Sequence, residues 1–193
     1  MDAVGVVCEF DPLHRGHEAL LRRAGASGRP VVCAMSGNFT QRGGPACAEK
    51  FVRAEMAVRC GADLVAELPT PWAMATAEKF ADGGVDLLSL CGVKTLCFGS
   101  ECGDIDALWT AAEVLLREDI HRAIRAEMDG GLSYAAARQG VLEREAGCGG
   151  LLAQPNNTLA VEYLKAIRRR GLAADAVTAV SYTHLTLPTS DLV

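Results

Sequence analysis

The chain has 193 residues, 50% of them hydrophobic, and its 19 Lys and Arg stand against 24 Asp and Glu for a formal net charge of −5 at pH 7. That is the arithmetic of one globular domain, and a sequence pI near 5.4 excludes the blanket positive field of a protein that coats nucleic acid, while leaving room for a local RNA site. No uninterrupted apolar run of about 18 residues occurs and no basic leader precedes the first apolar segment, so a cytoplasmic protein with no membrane segment is expected.

Ala3-Val4-Gly5-Val6-Val7-Cys8 is a short β-branched run closed by Glu9-Phe10-Asp11-Pro12; it predicts a strand, then a loop, then a helix over 16–26. The pattern recurs with a strand over 30–35, a polar Gly-rich loop over 36–45 and a helix over 47–60 with apolar positions Phe51, Ala54, Met56 and Val58. A third strand over 63–68 is stopped by Pro69 and Pro71, a helical pattern runs over 74–90, and a fourth strand over 93–99 ends in Gly99-Ser100-Glu101. Short strands alternating with helices imply an α/β, Rossmann-like parallel sheet covered on both faces.

Beyond Asp104 only helical periods appear, over 104–117, 119–128, 133–146 and 156–170, the last opened by Pro155-Asn156. The expected organisation is one domain over 1–180 with a helical insertion over about 104–170. Residues 176–180 read as the beginning of a closing strand that is not completed. Residues 181–193 break the composition: Ser181-Tyr182-Thr183-His184-Leu185-Thr186-Leu187-Pro188-Thr189 has no helical period and looks like the translation of a transposase-type sequencing adapter. The expectation is a non-native tail on a longer protein interrupted near Ala179, and fold reasoning excludes it.

The eight cysteines contain no Cys-x-x-Cys, and Cys8, Cys33, Cys60 and Cys97 lie in apolar periodic segments, so reduced thiols acting as small buried hydrophobes are expected. Cys91, Cys97 and Cys102 are the nearest approach to a metal pattern, but their spacing lacks the paired knuckles of a structural zinc site.

The chemistry is concentrated in Glu9-Phe10-Asp11-Pro12-Leu13-His14-Arg15-Gly16-His17, a His-x-Gly-His between the first strand and the first helix. A helix N-terminus offers unsatisfied N–H groups and partial positive charge to phosphates, and ligands of open α/β sheets settle at the carboxyl ends of strands. Gly16 permits close backbone approach, while His14 and His17 can donate hydrogen bonds to a phosphoryl oxygen as charge builds in an in-line displacement. A transition-metal pair is the competing reading, but the local carboxylates are only Glu9 and Asp11, and His121 and His184 are distant in sequence. No protein metal site is expected. Neither Gly-x-Gly-x-x-Gly nor Gly-x-x-x-x-Gly-Lys-Ser/Thr occurs, which argues against a dinucleotide oxidoreductase or a P-loop ATPase.

From Ala3 to about Arg170 the chain resembles the N-terminal part of bacterial tRNA(Met) cytidine acetate ligases, in the Rossmann-like superfamily that includes class I aminoacyl-tRNA synthetases. The resemblance rests on the block just quoted, on Met35-Ser36-Gly37-Asn38-Phe39-Thr40-Gln41-Arg42-Gly43 and Gly61-Ala62-Asp63-Leu64-Val65-Ala66-Glu67-Leu68-Pro69, and on Phe98-Gly99-Ser100-Glu101 and Pro155-Asn156-Asn157. It implies that ATP and acetate give acetyl-adenylate, whose acetyl group passes to N4 of the wobble cytidine of elongator tRNA(Met) without acetyl-CoA. It also implies a loop that holds ATP through Val7, Cys8, Glu9, Phe10, Asp11, Pro12, Leu13, His14, Arg15, Gly16, His17, Glu18, Ala19 and Leu20, completed by Gly99 and Asn156, with His14 and His17 catalytic. Mg²⁺ is expected with the ATP, to neutralise the pyrophosphate leaving group. Position 11 is Asp where many family members carry Asn, and an extra carboxylate near phosphate is unfavourable unless Arg15 or Mg²⁺ pairs with it. The family's downstream basic motif, which contributes to the ATP phosphates, would lie beyond the interruption. Two other readings stay open: a small-metabolite nucleotidyltransferase of the nicotinate-mononucleotide or pantetheine-phosphate kind, and a non-catalytic ATP- or RNA-binding module.

Other residues are less specific. The loop with Gln41 and Arg42 is placed to cover the site, to contact RNA, or simply to connect. Lys50, Arg53 and Arg59 read as a solvated helix face with a phosphate-tracking option, and Lys165, Arg168, Arg169 and Arg170 as a complement to a helix dipole with tRNA contact as the minority option. Glu101 ranks above Glu67 as a Mg²⁺ or ribose contact, and Trp72 and Trp109 read as core or rim residues.

Overall fold

The computed structural model describes residues 2–171 and 175–180, so the adapter-like segment 181–193 lies outside the described residues. Five parallel strands form one sheet in the order β3-β2-β1-β4-β5: β1 (Ala3–Cys8), β2 (Val31–Ser36), β3 (Leu64–Leu68), β4 (Val93–Ser100) and β5 (Asp175–Val180). The chain steps outward from β1 through β2 to β3, then returns to the other side of β1 as β4. The strand order therefore reverses between β1 and β4, the position at which ligands of open α/β sheets bind.

The alternation of side chains along each strand divides the apolar residues into two cores. Val4, Val6, Cys8, Val31, Cys33, Met35 and Cys97 face α1 (Arg15–Gly25) and α2 (Lys50–Arg59), meeting Leu21, Ala24 and Ala57. Ala3, Val7, Val32, Ala34, Leu96 and Phe98 face the larger core built by α4 (Ala77–Leu90), α5 (Ile105–Leu115), α6 (Glu118–Asp129), α7 (Tyr134–Ala146) and α8 (Pro155–Arg169). The cysteines are free thiols; burial pushes the Cys97 thiol up to about 11, so it packs as an apolar group.

Several boundaries differ from the sequence expectation for local reasons. Between β3 and α4 lies a short helix, α3 (Thr70–Ala73), with Pro71 in its first turn, where a missing N–H costs nothing. Helix α2 begins only at Lys50, capped by the Glu49 side chain on the Phe51 N–H at 3.1 Å. A 3₁₀ turn, Gly149–Ala153, precedes α8. The closing strand expected over 176–180 is present: Asp175–Val180 pairs with β4 from Thr95↔Asp175 to Ser100↔Val180.

Candidate active site

The site is assembled at the carboxyl ends of β1, β2 and β4. As β1 ends, Phe10 adopts φ 50°, a left-handed conformation uncommon for a bulky residue, with its side chain only 1% exposed. Strain of this kind persists where the surroundings over-determine it. Here the buried Phe10 ring meets the His17 ring edge-on at 5.1 Å, and the Glu9 carbonyl accepts a hydrogen bond from Arg53. The Asp11–Pro12 peptide is cis.

His14 is the N-cap of α1 and His17 its third residue. His14 Nδ1 accepts from the Gly16 N–H at 3.1 Å, and His17 Nδ1 accepts from the His14 N–H at 3.4 Å, a reciprocal capping box made by imidazoles. The rings stack with centroids 3.7 Å apart at 21°. Because each Nδ1 serves as an acceptor, the hydrogen-bond network assigns the ring proton of both histidines to Nε2. Burial, then the proximity of His14, lowers the His17 pKa to about 4, against the opposing pull of a hydrogen bond to the Pro12 backbone. His17 is therefore a neutral N–H donor near pH 7. A Cβ at Gly16 would lie 3.0 Å from His14 Cε1 and 3.1 Å from its Nδ1, so a side chain there would press the His14 ring out of place by a few tenths of an ångström.

The acidic residues of the first loop hold the second loop. Glu9 Oε1 accepts from the Gln41 N–H at 2.6 Å, and Asp11 Oδ1 accepts from the Cys47 N–H at 2.6 Å. Burial raises the Glu9 pKa, while the hydrogen bonds from Cys47 lower that of Asp11. Asp11 is held by the Cys47 backbone N–H rather than by Arg15. The loop over 36–45 is thereby fastened at the site, with Thr40 and Gly44 closing its turn at 2.9 Å.

The remaining implied ATP contacts are spread over β1, α1, β4 and α8. Val7 and Cys8 are buried on opposite faces of β1, Leu13 and Leu20 pack under α1, and Arg15 and Ala19 are exposed. Glu18 is committed to Arg22 at 3.3 Å. Gly99 lies in β4, adjacent to β1 in the sheet. Asn156 opens α8, and its N–H and that of Asn157 are accepted by the Glu101 carboxylate at 3.1 and 2.8 Å, while Asn157 Oδ1 accepts from the backbone of Glu101 at 2.9 Å. Glu101 is thus a clamp between β4 and α8, with both carboxylate oxygens accepting backbone N–H groups. Glu67 is bound by Lys50 at 2.7 Å.

Two residues of the site carry no local sequence signal. Arg53, read as part of a solvated face, is 0% exposed beneath the two loops. Ser36, at the end of β2, is also 0% exposed and its hydroxyl has no hydrogen-bond partner, an orphaned polar group of the kind a bound ligand satisfies. The basic cluster at the end of α8 is committed elsewhere: Lys165 to Glu162, Arg168 to Glu113, and Arg169 and Arg170 to Glu78, Asp82 and Asp86. Among the described residues no group of three His, Cys, Asp or Glu side chains is arranged to hold a metal, and no helix is long and apolar enough to cross a membrane.

A parallel sheet whose first strand delivers a His-x-Gly-His pair to a helix N-terminus, at the reversal of strand order, defines a Rossmann-like nucleotidyltransferase domain. The chain belongs to the HIGH nucleotidyl transferase family, whose model matches residues 1–179. It is 45% identical over 185 residues to the tRNA(Met) cytidine acetate ligase of Syntrophotalea carbinolica, covering 92% of this chain and 44% of that protein. It is 43% identical over 180 residues to the enzyme of the same name from Acetivibrio thermocellus, covering 88% of this chain and 43% of the relative. The crystal structure of Thermotoga maritima TmcAL bound with alpha-thio ATP superposes with a TM-score of 0.88 at 35% identity, over 94% of this chain and 47% of that one. The chain thus spans less than half the length of these relatives.

Proposed function

We propose that this chain is the ATP-binding, acetate-activating part of a tRNA(Met) cytidine acetate ligase that works in the cytoplasm. The observation that carries the reading is the histidine capping box, which sets the stacked imidazoles of His14 and His17 at a helix N-terminus in a chain similar to ligases of that name. A solved relative that holds an ATP analogue supports ATP as the nucleotide.

In this reading the acetate oxygen attacks the α-phosphorus of ATP, the bond to the α,β-bridging oxygen breaks, and pyrophosphate leaves. His14 and His17 donate to the non-bridging α-phosphate oxygens as charge accumulates, and the N-terminus of α1 adds its partial positive charge. The wobble cytidine N4 of elongator tRNA(Met) then attacks the acetyl carbon, the carbon–oxygen bond to AMP breaks, and N4 loses a proton. The first loop from Val7 to Leu20, with Gly99 and Asn156, surrounds the nucleotide. Mg²⁺ enters with the ATP phosphates. Glu9, Asp11 and Glu101 are committed to backbone N–H groups, which fits an ion carried by substrate oxygens better than a protein cage.

The test is acetate-dependent exchange of labelled pyrophosphate into ATP, with His14→Ala and His17→Ala as controls. Exchange that needs acetate and falls by about a hundredfold or more in both variants supports adenylate formation at this site. Exchange that needs a phosphorylated small acceptor and ignores acetate moves the assignment to a metabolite nucleotidyltransferase. ATP binding with no exchange leaves a binding module.

A further inference from the structure

Arg53 is the largest fully buried side chain of the described residues, and its surroundings are unusual for a guanidinium. Its donors go to backbone carbonyls alone: Ala48 at 3.0 Å, Ser36 at 3.2 Å, and the close contacts to Glu9 and Gly37. Among the described residues no carboxylate forms an ion pair with it. A buried charge is ordinarily matched by an opposite charge, because desolvation costs more than carbonyl dipoles alone return. This one sits where the ends of β1 and β2 and the loop before α2 converge, one peptide below Phe10 and the histidine loop.

We infer that Arg53 is a positioning residue of the nucleotide site, which ties the two loops together and keeps a positive charge with no direct ion-pair partner under the place where the polyphosphate of the nucleotide lies. The inference rests on the ATP reading above and adds to it a residue that does not touch the ligand. Two observations support it. The guanidinium fork spans carbonyls from three segments, Glu9, Ser36–Gly37 and Ala48, so one planar group sets the spacing of both loops. Its charge also acts on Glu9 and Asp11, favouring their ionised forms, so its field reaches the residues that flank the histidines. In a chain of net charge −5, a fixed cation at this point offsets the general repulsion of a polyanionic ligand.

The experiment measures binding of ATP and of adenosine to the full 193-residue chain by calorimetry, for wild type, Arg53→Gln and Arg53→Lys, with thermal melts to establish folding. Wild type is read first: a folded chain that binds no ATP overturns the ATP reading itself. With ATP bound by wild type, Arg53→Gln is expected to weaken ATP about tenfold or more and adenosine less than about twofold, since a missing charge penalises only the phosphates. Arg53→Lys, which keeps the charge, is expected to hold the ATP-to-adenosine ratio within about threefold while lowering the melting temperature, because a single ammonium cannot replace the fork. Equal losses for the two ligands in Arg53→Gln, or undiminished ATP binding there, overturn the inference. Should Arg53→Gln fail to fold, Arg53→Lys decides alone: a retained ratio upholds the inference, and a tenfold fall in the ratio overturns it.

Discussion

His17 meets two demands with one ring. It must cap α1 through Nδ1, and in the proposed reaction it must donate from Nε2 without carrying a permanent charge. Burial and the neighbouring His14 achieve the second by holding its pKa at about 4. The sign of the pH dependence follows. In the unfolded chain the ring takes up a proton below about pH 6.5, whereas the folded chain resists it down to about 4, so the unfolded state binds more protons in that window. The stability linked to His17 is complete above pH 6.5 and drains away as the pH falls toward 4. Urea midpoints between pH 7 and pH 4.5 should therefore fall less steeply for His17→Gln than for wild type, since a glutamine at the third helical position still completes the capping box. Equal slopes for the two proteins would remove the neutral-imidazole argument. The same variant should lose pyrophosphate exchange by about a hundredfold, the cost of one preorganised donor.

At the scale of elements, the decisive feature is that two loops from different βα units are fastened by acidic side chains to backbone N–H groups. Asp11 does this with a carboxylate where an amide oxygen would serve as well. Asp11→Asn should keep the hydrogen bond to the Cys47 N–H while removing a negative charge from the phosphate region, so ATP should bind about threefold more tightly at low salt, with the gain fading near 0.5 M salt. Weaker binding in that variant would mean that the ionised latch itself is needed. Helix α4 supplies a second test: a Cβ at Gly84 would lie 2.7 Å from Val7 Cγ1 and 2.8 Å from Cγ2, against the strand that ends in the histidine loop. Gly84→Ala should cost about 1–3 kcal/mol in chemical denaturation, the usual penalty for overpacking, despite the better helix propensity of alanine. These elements differ in how far the sequence discloses them. The strands and the capped start of α1 are legible because period-two and helical patterns alternate cleanly around Gly and Pro punctuation. The short helix α3 is hidden by Pro69 and Pro71, which read as breakers although the first turn of a helix accepts proline. Arg53 shares the spacing of Lys50 and Arg59, which are typical of a wet face. What buries it is a set of carbonyls from Glu9, Ser36 and Gly37, brought together only by the parallel pairing of β1 with β2.

For the whole molecule, the question is whether the helical segment between β4 and β5 is an appendage or part of one cooperative unit. Ile124, Val141, Leu142 and Leu164 of the helices share a single apolar cluster with Val7, Ala34 and Phe98 of the sheet. Inside this shared core lies a charged group: Glu162 accepts from Lys165 at 2.7 Å and from Arg138, with Glu162 only 2% exposed. Burial pushes the Lys165 ammonium pKa down, and the Glu162 carboxylate opposes that shift. Removing the carboxylate would strand two cations away from water. Glu162→Ala should therefore destabilise the protein by about 3–5 kcal/mol, whereas Arg144→Ala, which breaks an exposed pair with Glu127, should cost less than about 1 kcal/mol. The shape of the transition matters as much as its midpoint. Because α7 and α8 reach the sheet through the same cluster, unfolding followed by tryptophan fluorescence and by far-UV circular dichroism should coincide in wild type and shift together in Glu162→Ala. A helical transition that separates from the sheet transition would show that the segment folds on its own. In that case the clamp between Glu101 and the start of α8 would be a docking contact between two units, and the position of Asn156 relative to β4 would depend on how firmly that contact closes.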